Sequence, residues 1–135
     1  MKRLLSRTST LLVTVTLLAI GGVSEAQVYE PAEGDSVVIY INKFKASEFE
    51  RAKEIMVDGF SWAMEASGQT RRTFWMANEE TGEIVGVSFF QKGHSVDEWH
   101  DHEARQTILD QLDPLRSAPL VKQHYRVIGH HRTAH

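Results

Sequence analysis

The sequence contains no cysteine. That absence excludes a disulfide framework, a thiol nucleophile and a lipid-anchored lipoprotein. No Gly-x-Ser-x-Gly turn and no phosphate-cradling glycine loop occurs either, which removes the serine-hydrolase and P-loop templates. Cations are in deficit, with 15 Lys and Arg against 18 Asp and Glu and a formal charge of −3 at pH 7. They are also scattered, whereas a phosphate backbone calls for clustered Lys and Arg, so no nucleic-acid partner is expected. The only long apolar run, at residues 11–20, falls short of the roughly 20 residues that span a bilayer.

That run does belong to a recognisable pattern. Lys2, Arg3 and Arg7 precede it, and the small residues Ser24 and Ala26 follow it. A basic start, a short apolar stretch and small residues make a secretory signal peptide over residues 1–26, with cleavage after Ala26. The expected location is therefore outside the cytoplasm, periplasmic or secreted, with no stable membrane association after cleavage. Removing Lys2, Arg3, Arg7 and Glu25 with the signal takes the charge from −3 to −5 and leaves 109 residues. Such a length supports one domain with one core. Without disulfides, its stability has to come from packing or from a second subunit.

Residues 27–35, with Pro31, Gly34 and three acidic side chains, read as a flexible leader. Residues 36–45 read as a strand whose two faces, Val37-Ile39-Ile41 and Val38-Tyr40-Asn42-Phe44, are both largely apolar, as for a strand covered on both sides. Ser47 and Glu50 have capping-box spacing. Beyond them Phe49, Ala52, Ile55, Met56, Phe60, Ala63 and Met64 recur at helical intervals up to a stop at Gly68. Residues 73–77 and 83–90 predict a hairpin turning at Gly82. Ser95 and Glu98 repeat the capping-box spacing and open a second helix through Trp99, Ile108, Leu109 and Leu112. Asp113-Pro114 reads as a separate short turn, residues 121–129 as the last strand, and 130–135 as a polar tail.

The order β-α-β-β-α-β predicts an α+β, ferredoxin-like fold: a four-stranded antiparallel sheet with two helices on one face. The other face still carries large apolar side chains, which a soluble monomer rarely exposes. A homodimer packed sheet to sheet, a dimeric α/β barrel, is the expected remedy.

The stretch from Val87-Ser88-Phe89-Phe90-Gln91-Lys92 into Ser95-Val96-Asp97-Glu98-Trp99-His100-Asp101-His102 combines an aromatic strand end, a capped helix start and a tryptophan followed by histidines. In this the chain resembles the antibiotic-biosynthesis-monooxygenase-like (ABM) domains of the dimeric α+β barrel superfamily, over residues 36–129. The resemblance implies a small-molecule ligand, and in cofactor-free members it implies monooxygenation of an electron-rich apolar or aromatic substrate. It places Asn42 and Trp99 as catalytic candidates; His102 is a third candidate, and Tyr40, Phe44, Trp75, Phe90 and His124 are the expected substrate-binding residues. Heme-degrading members imply a first-strand asparagine, like Asn42, a tryptophan, like Trp99, and a histidine farther along the same helix. Ten residues beyond Trp99 stands Leu109, which cannot ligate iron. Heme binding or degradation is therefore an alternative to chemistry without a cofactor. A non-catalytic binding or scaffold dimer is another.

The competing roles are plain. Asn42 either bonds a substrate oxygen or ends the sheet in water; Trp99 either shapes a cavity or packs helix on strand. On a helix turning about 100° per residue, His100 and His102 point in nearly opposite directions, so at most one faces a cleft. Glu98 and His102 share a helix face, with His94 nearby, but a third or fourth metal ligand would have to come from elsewhere, and no metal site is assigned. His124 either enters the barrel as an acid or base or lies at an exposed edge.

Overall fold

The computed structural model describes residues 29–69, 71–131 and 133, so the expected signal peptide lies outside the described residues. Strands β1 (Ser36–Phe44), β2 (Arg71–Asn78), β3 (Glu83–Phe90) and β4 (Arg116–Arg126) form one sheet in the order β2-β3-β1-β4, with every neighbouring pair antiparallel. This is the ferredoxin-like arrangement. The most apolar strand, β1, lies inside the sheet, which is why both of its faces read as apolar.

Helical residues run from α1 (Phe49–Glu54) through a π-helical turn (Ile55–Gly59) into α2 (Phe60–Ser67). Gly68 ends the run with a left-handed φ of 63°, a conformation that suits glycine at this position. At the start, Ala46–Glu48 tighten into a 3-10 turn and no side chain caps it. Ser47 sits inside that turn rather than in the extended geometry a cap requires, so the first expected capping box does not form. The second does: Ser95 Oγ accepts from the Glu98 amide at 3.1 Å. The single helix expected after it is two, α3 (Val96–His100) and α4 (Glu103–Leu112). Extended backbone at His102 (φ −67°, ψ 129°) interrupts the run, and its imidazole caps the second piece.

One core joins the helices to one face of the sheet. Val38, Tyr40, Phe44, Ile84 and Phe90 meet Phe49, Ala52, Met56, Phe60, Trp99, Ile108 and Leu112 there. Each large side chain removed from water contributes about 1.5–3 kcal/mol. Gly59 is part of this packing, because a Cβ at that position would lie 2.7 Å from Ile108 Cδ1. The helix costs about 1 kcal/mol for a glycine there, and the close approach of α4 is the return.

Two further expectations change. β4 begins at Arg116, five residues before the expected start, and contains Pro119. Proline is tolerated because β4 is an edge strand, and its register against β1 shifts between Ile41 and Phe44 as in a bulge. Asp35, expected to be solvated in a mobile leader, is 3% exposed. Its carboxylate accepts from Tyr29 Oη and from the amides of Ala32 and Lys92, and Gly34 and Asp35 pair with Val127 through the backbone. Burial opposes its charge, but those bonds outweigh burial and hold its pKa below the ordinary value.

Among the described residues no helix covers the other face of the sheet. Three cross-strand rows cross it: Phe74-Val87-Ile39-Gln123, Met76-Val85-Ile41-Val121 and Arg72-Phe89-Val37-Tyr125. Phe74, Met76, Val121 and Tyr125 are exposed. No helix among the described residues is long and apolar enough to cross a membrane.

Candidate functional site

Between helices and sheet lies a cavity of about 20 Å³, lined by Tyr40, Asn42, Trp75, Trp99, Arg105 and Leu109, with Met56, Met64 and Leu120 among its apolar walls. That volume holds about one water molecule. A larger guest has to move side chains, and the two unbranched methionines are the most adaptable of them.

Asn42 is 2% exposed and lies on the central strand, not at a wet edge. Its Nδ2 donates to the Ile84 carbonyl at 3.3 Å, and its Oδ1 accepts from Arg116. Trp99 is buried and makes an edge contact with Phe60, centroids 6.4 Å apart. Trp75 stacks on Phe60 at 5.5 Å. Its seat across the sheet is Gly86, where a Cβ would strike the indole ring. The cavity thus brings together Asn42, Tyr40, Trp75 and Trp99. Phe44 and Phe90 are core residues beside it rather than in its lining.

The histidines divide. His102, expected as catalytic, accepts from the Ala104 amide through Nδ1 at 3.2 Å and does not line the cavity; its position is that of a helix cap. His100 takes the inward direction instead, with Nε2 2.9 Å from Tyr40 Oη. His124 is exposed on edge strand β4, yet on the helix side of the sheet, 5.9 Å from the His100 ring. Among the described residues no three His, Asp or Glu side chains gather as metal ligands. The cavity residues do not fit a heme iron: Leu109 occupies the wall where the resemblance would place the ligand, no imidazole lines the cavity, and His100 Nε2 faces Tyr40.

Electrostatics at the site are dominated by burial. Tyr40 is pushed up to about 12, mainly by desolvation and against the pull of Arg105 and Arg71. His100 is lowered from 6.5 to about 4 by desolvation first, then by Arg105, Lys122 and His124. At neutral pH the Tyr40–His100 contact is therefore a hydrogen bond between two neutral groups. Between pH 6.5 and about 4 the unfolded chain takes up a proton at His100 that the folded chain refuses. This group's effect on stability is absent above that window and becomes a loss as pH falls through it. Urea unfolding across the window should show a falling midpoint, with a shallower fall in His100→Gln; an equal slope in both proteins would refute the assignment. Asp35 acts separately, below its ordinary value of 3.8.

Two contributors were not expected. Arg105, 5% exposed, lines the cavity and donates from NH1 to the His100 carbonyl at 3.0 Å. Its signal was present, since 105, 108 and 112 fall on one helix stripe and a charge there interrupts an apolar face. Arg71 sits beside the cavity with its guanidinium carbon 3.6 Å from the Trp99 ring centroid. Counting back from Trp75 by twos places it on the helix side of β2.

No family model matches the sequence, and no curated protein matches it. Solved structures do share the fold. A Mycobacterium tuberculosis protein superposes with a TM-score of 0.61 at 12% identity, covering 71% of this chain and 97% of its own. A Nitrosomonas europaea protein provisionally named an antibiotic biosynthesis monooxygenase gives 0.59 at 13% identity, covering 74% and 96%. A dimeric ferredoxin-like protein from an uncultured marine organism gives 0.57 at 12%, covering 76% and 95%. The chain thus shares the ferredoxin-like fold of these proteins.

Proposed function

We propose that this chain is an exported homodimer that binds a small, largely apolar or aromatic molecule in the cavity between helices and sheet and oxidises it with dioxygen, without metal or flavin. The observation that carries the reading is the convergence of Asn42, Tyr40, Trp75 and Trp99 on one buried cavity. A few directed polar groups in an apolar wall suit an oriented ring, with Trp75 and Trp99 as flat surfaces. The names of two structural neighbours, one provisionally a monooxygenase and one dimeric, support the chemistry and the assembly.

The reaction class needs no external reductant. In an electron-rich ring bearing an activated methylene, such as anthrone, two C–H bonds supply the electrons. One oxygen atom of O₂ becomes the new carbonyl and the other leaves as water. Anthrone is therefore a suitable probe, with dioxygen uptake as the readout. Asn42→Ala is expected to lower kcat by about tenfold or more while the subunits stay associated, and loss of the Arg116 bond to Asn42 Oδ1 should cost about 1–3 kcal/mol of stability although Arg116 keeps its pairing with Asp113. If neither binding nor dioxygen uptake occurs, the proposal fails. The small volume of the cavity favours one other reading, a non-catalytic scaffold dimer, under which Asn42→Ala changes stability alone. Titration with hemin tests the heme alternative, which a sharp Soret band would revive.

A further inference from the structure

Arg71 is the least satisfied side chain among the described residues. Its Nε and both terminal nitrogens are buried and lack a hydrogen-bond partner among the described residues. The ion pairs there join Lys53 to Glu50, Arg72 to Glu30 and Arg116 to Asp113; none serves Arg71 or Arg105. Around the Arg71 guanidinium stand aromatic rings, Trp99 at 3.6 Å and Phe90 at 5.7 Å. Arg105, in the cavity wall, lies 5.9 Å from both the Trp99 and the Tyr40 rings.

A fold does not gain by burying two guanidinium groups near one another with no carboxylate ion-paired to either. Desolvation of a cation is costly, an unmet buried donor adds to the cost, and the two charges repel. Cation–π contact with Trp99 returns part of this, about 2 kcal/mol when desolvated. Burial, with repulsion from Arg105 added, draws Arg71 down to about 10, so it remains charged at neutral pH. The electrostatic arrangement is complete only when a negative charge enters.

We propose that the molecule bound in this cavity is an anion with an apolar body, a carboxylate on a flat ring, held by Arg105 in the cavity wall and by the free guanidinium donors of Arg71 beside it. The planar fork of arginine matches a carboxylate in two parallel bonds. The apolar walls argue against a bare inorganic anion, which would surrender its water and gain only the cations. The inference rests on the cavity being the binding site, and it names the ligand class that site takes.

The test uses the full folded protein and calorimetric titration with benzoate, its neutral analogue benzamide, and inorganic phosphate. Benzoate is expected to bind about tenfold or more tightly than benzamide, the range for a hydrogen bond to a charged group. Arg71→Met should erase that preference yet hold or raise the thermal midpoint without ligand, because it removes an unpaired buried charge; Arg71→Lys, which keeps the charge and loses the fork, should fall between. Equal binding of benzoate and benzamide overturns the anion and leaves the cavity as the site. Binding of neither overturns both. Phosphate competing as well as benzoate overturns the apolar body, and an Arg71→Met protein that keeps the benzoate preference overturns the assigned residue.

Discussion

Trp99→Ala is expected to lower the unfolding free energy by about 3–5 kcal/mol, the range for deleting a buried indole. The residue is 3% exposed, and its ring serves three groups at once: Phe60 at its edge, Arg71 over its face and Arg105 farther off. Truncation leaves a void and also strips Arg71 of the ring that offsets its burial, so the loss should sit high in that range. Trp99→Phe restores much of the apolar volume but weakens the cation–π contact, since indole is the stronger partner. Urea unfolding of the two variants separates the terms: Trp99→Phe should recover more than half of the lost stability. If both variants lose less than about 1 kcal/mol, Trp99 does not hold Phe60 and Arg71 in place. Ligand affinity gives the second axis, since a scaffold role would move stability alone.

The fold was legible because its signals are local and repeated. The helical run to Gly68, the Gly82 hairpin and the Ser95 cap each depend on a few neighbouring residues, and each forms. The misses depend on distant contacts. Ser47 has the spacing of a cap, but Ala46–Glu48 close into a tighter turn. Pro119 reads as a break in a strand unless the strand is known to be an edge. Asp35 looks like solvated loop because its partners include the Lys92 amide, 57 residues away.

The site was legible in part for the same reason. Alternation along β1 puts Tyr40 and Asn42 on one face whatever lies beyond, and both reach the cavity. Choosing between His100 and His102 required knowing that the helix breaks at His102, which frees that imidazole to cap α4 and leaves His100 to meet Tyr40. Arg71 and Arg105 carried a pattern signal, a charge on an apolar face, but pattern alone does not reveal that neither forms an ion pair among the described residues.

Val87→Lys is expected to dissociate the proposed dimer while leaving each subunit folded. Val87 stands in the middle row of the helix-free face, between Phe74 and Ile39, on the side of the sheet away from the core cluster. A lysine there points away from every helix, so an isolated subunit bears little cost. In a sheet-to-sheet dimer the same residue is buried, and a two-fold interface presents it twice. An uncompensated buried charge costs about 3–5 kcal/mol, and two copies weaken association by at least four orders of magnitude at about 1.4 kcal/mol per factor of ten. Sedimentation should therefore change from the dimer mass to the monomer mass at micromolar concentration, with the far-ultraviolet circular dichroism preserved. Lysine at Glu79, in the exposed turn between β2 and β3, controls for added charge and should leave the mass unchanged. A wild-type protein that sediments as a monomer refutes the dimer outright. A Val87→Lys protein that stays dimeric moves the interface off this face, and the exposed rows from Phe74 to Val121 would then need another cover.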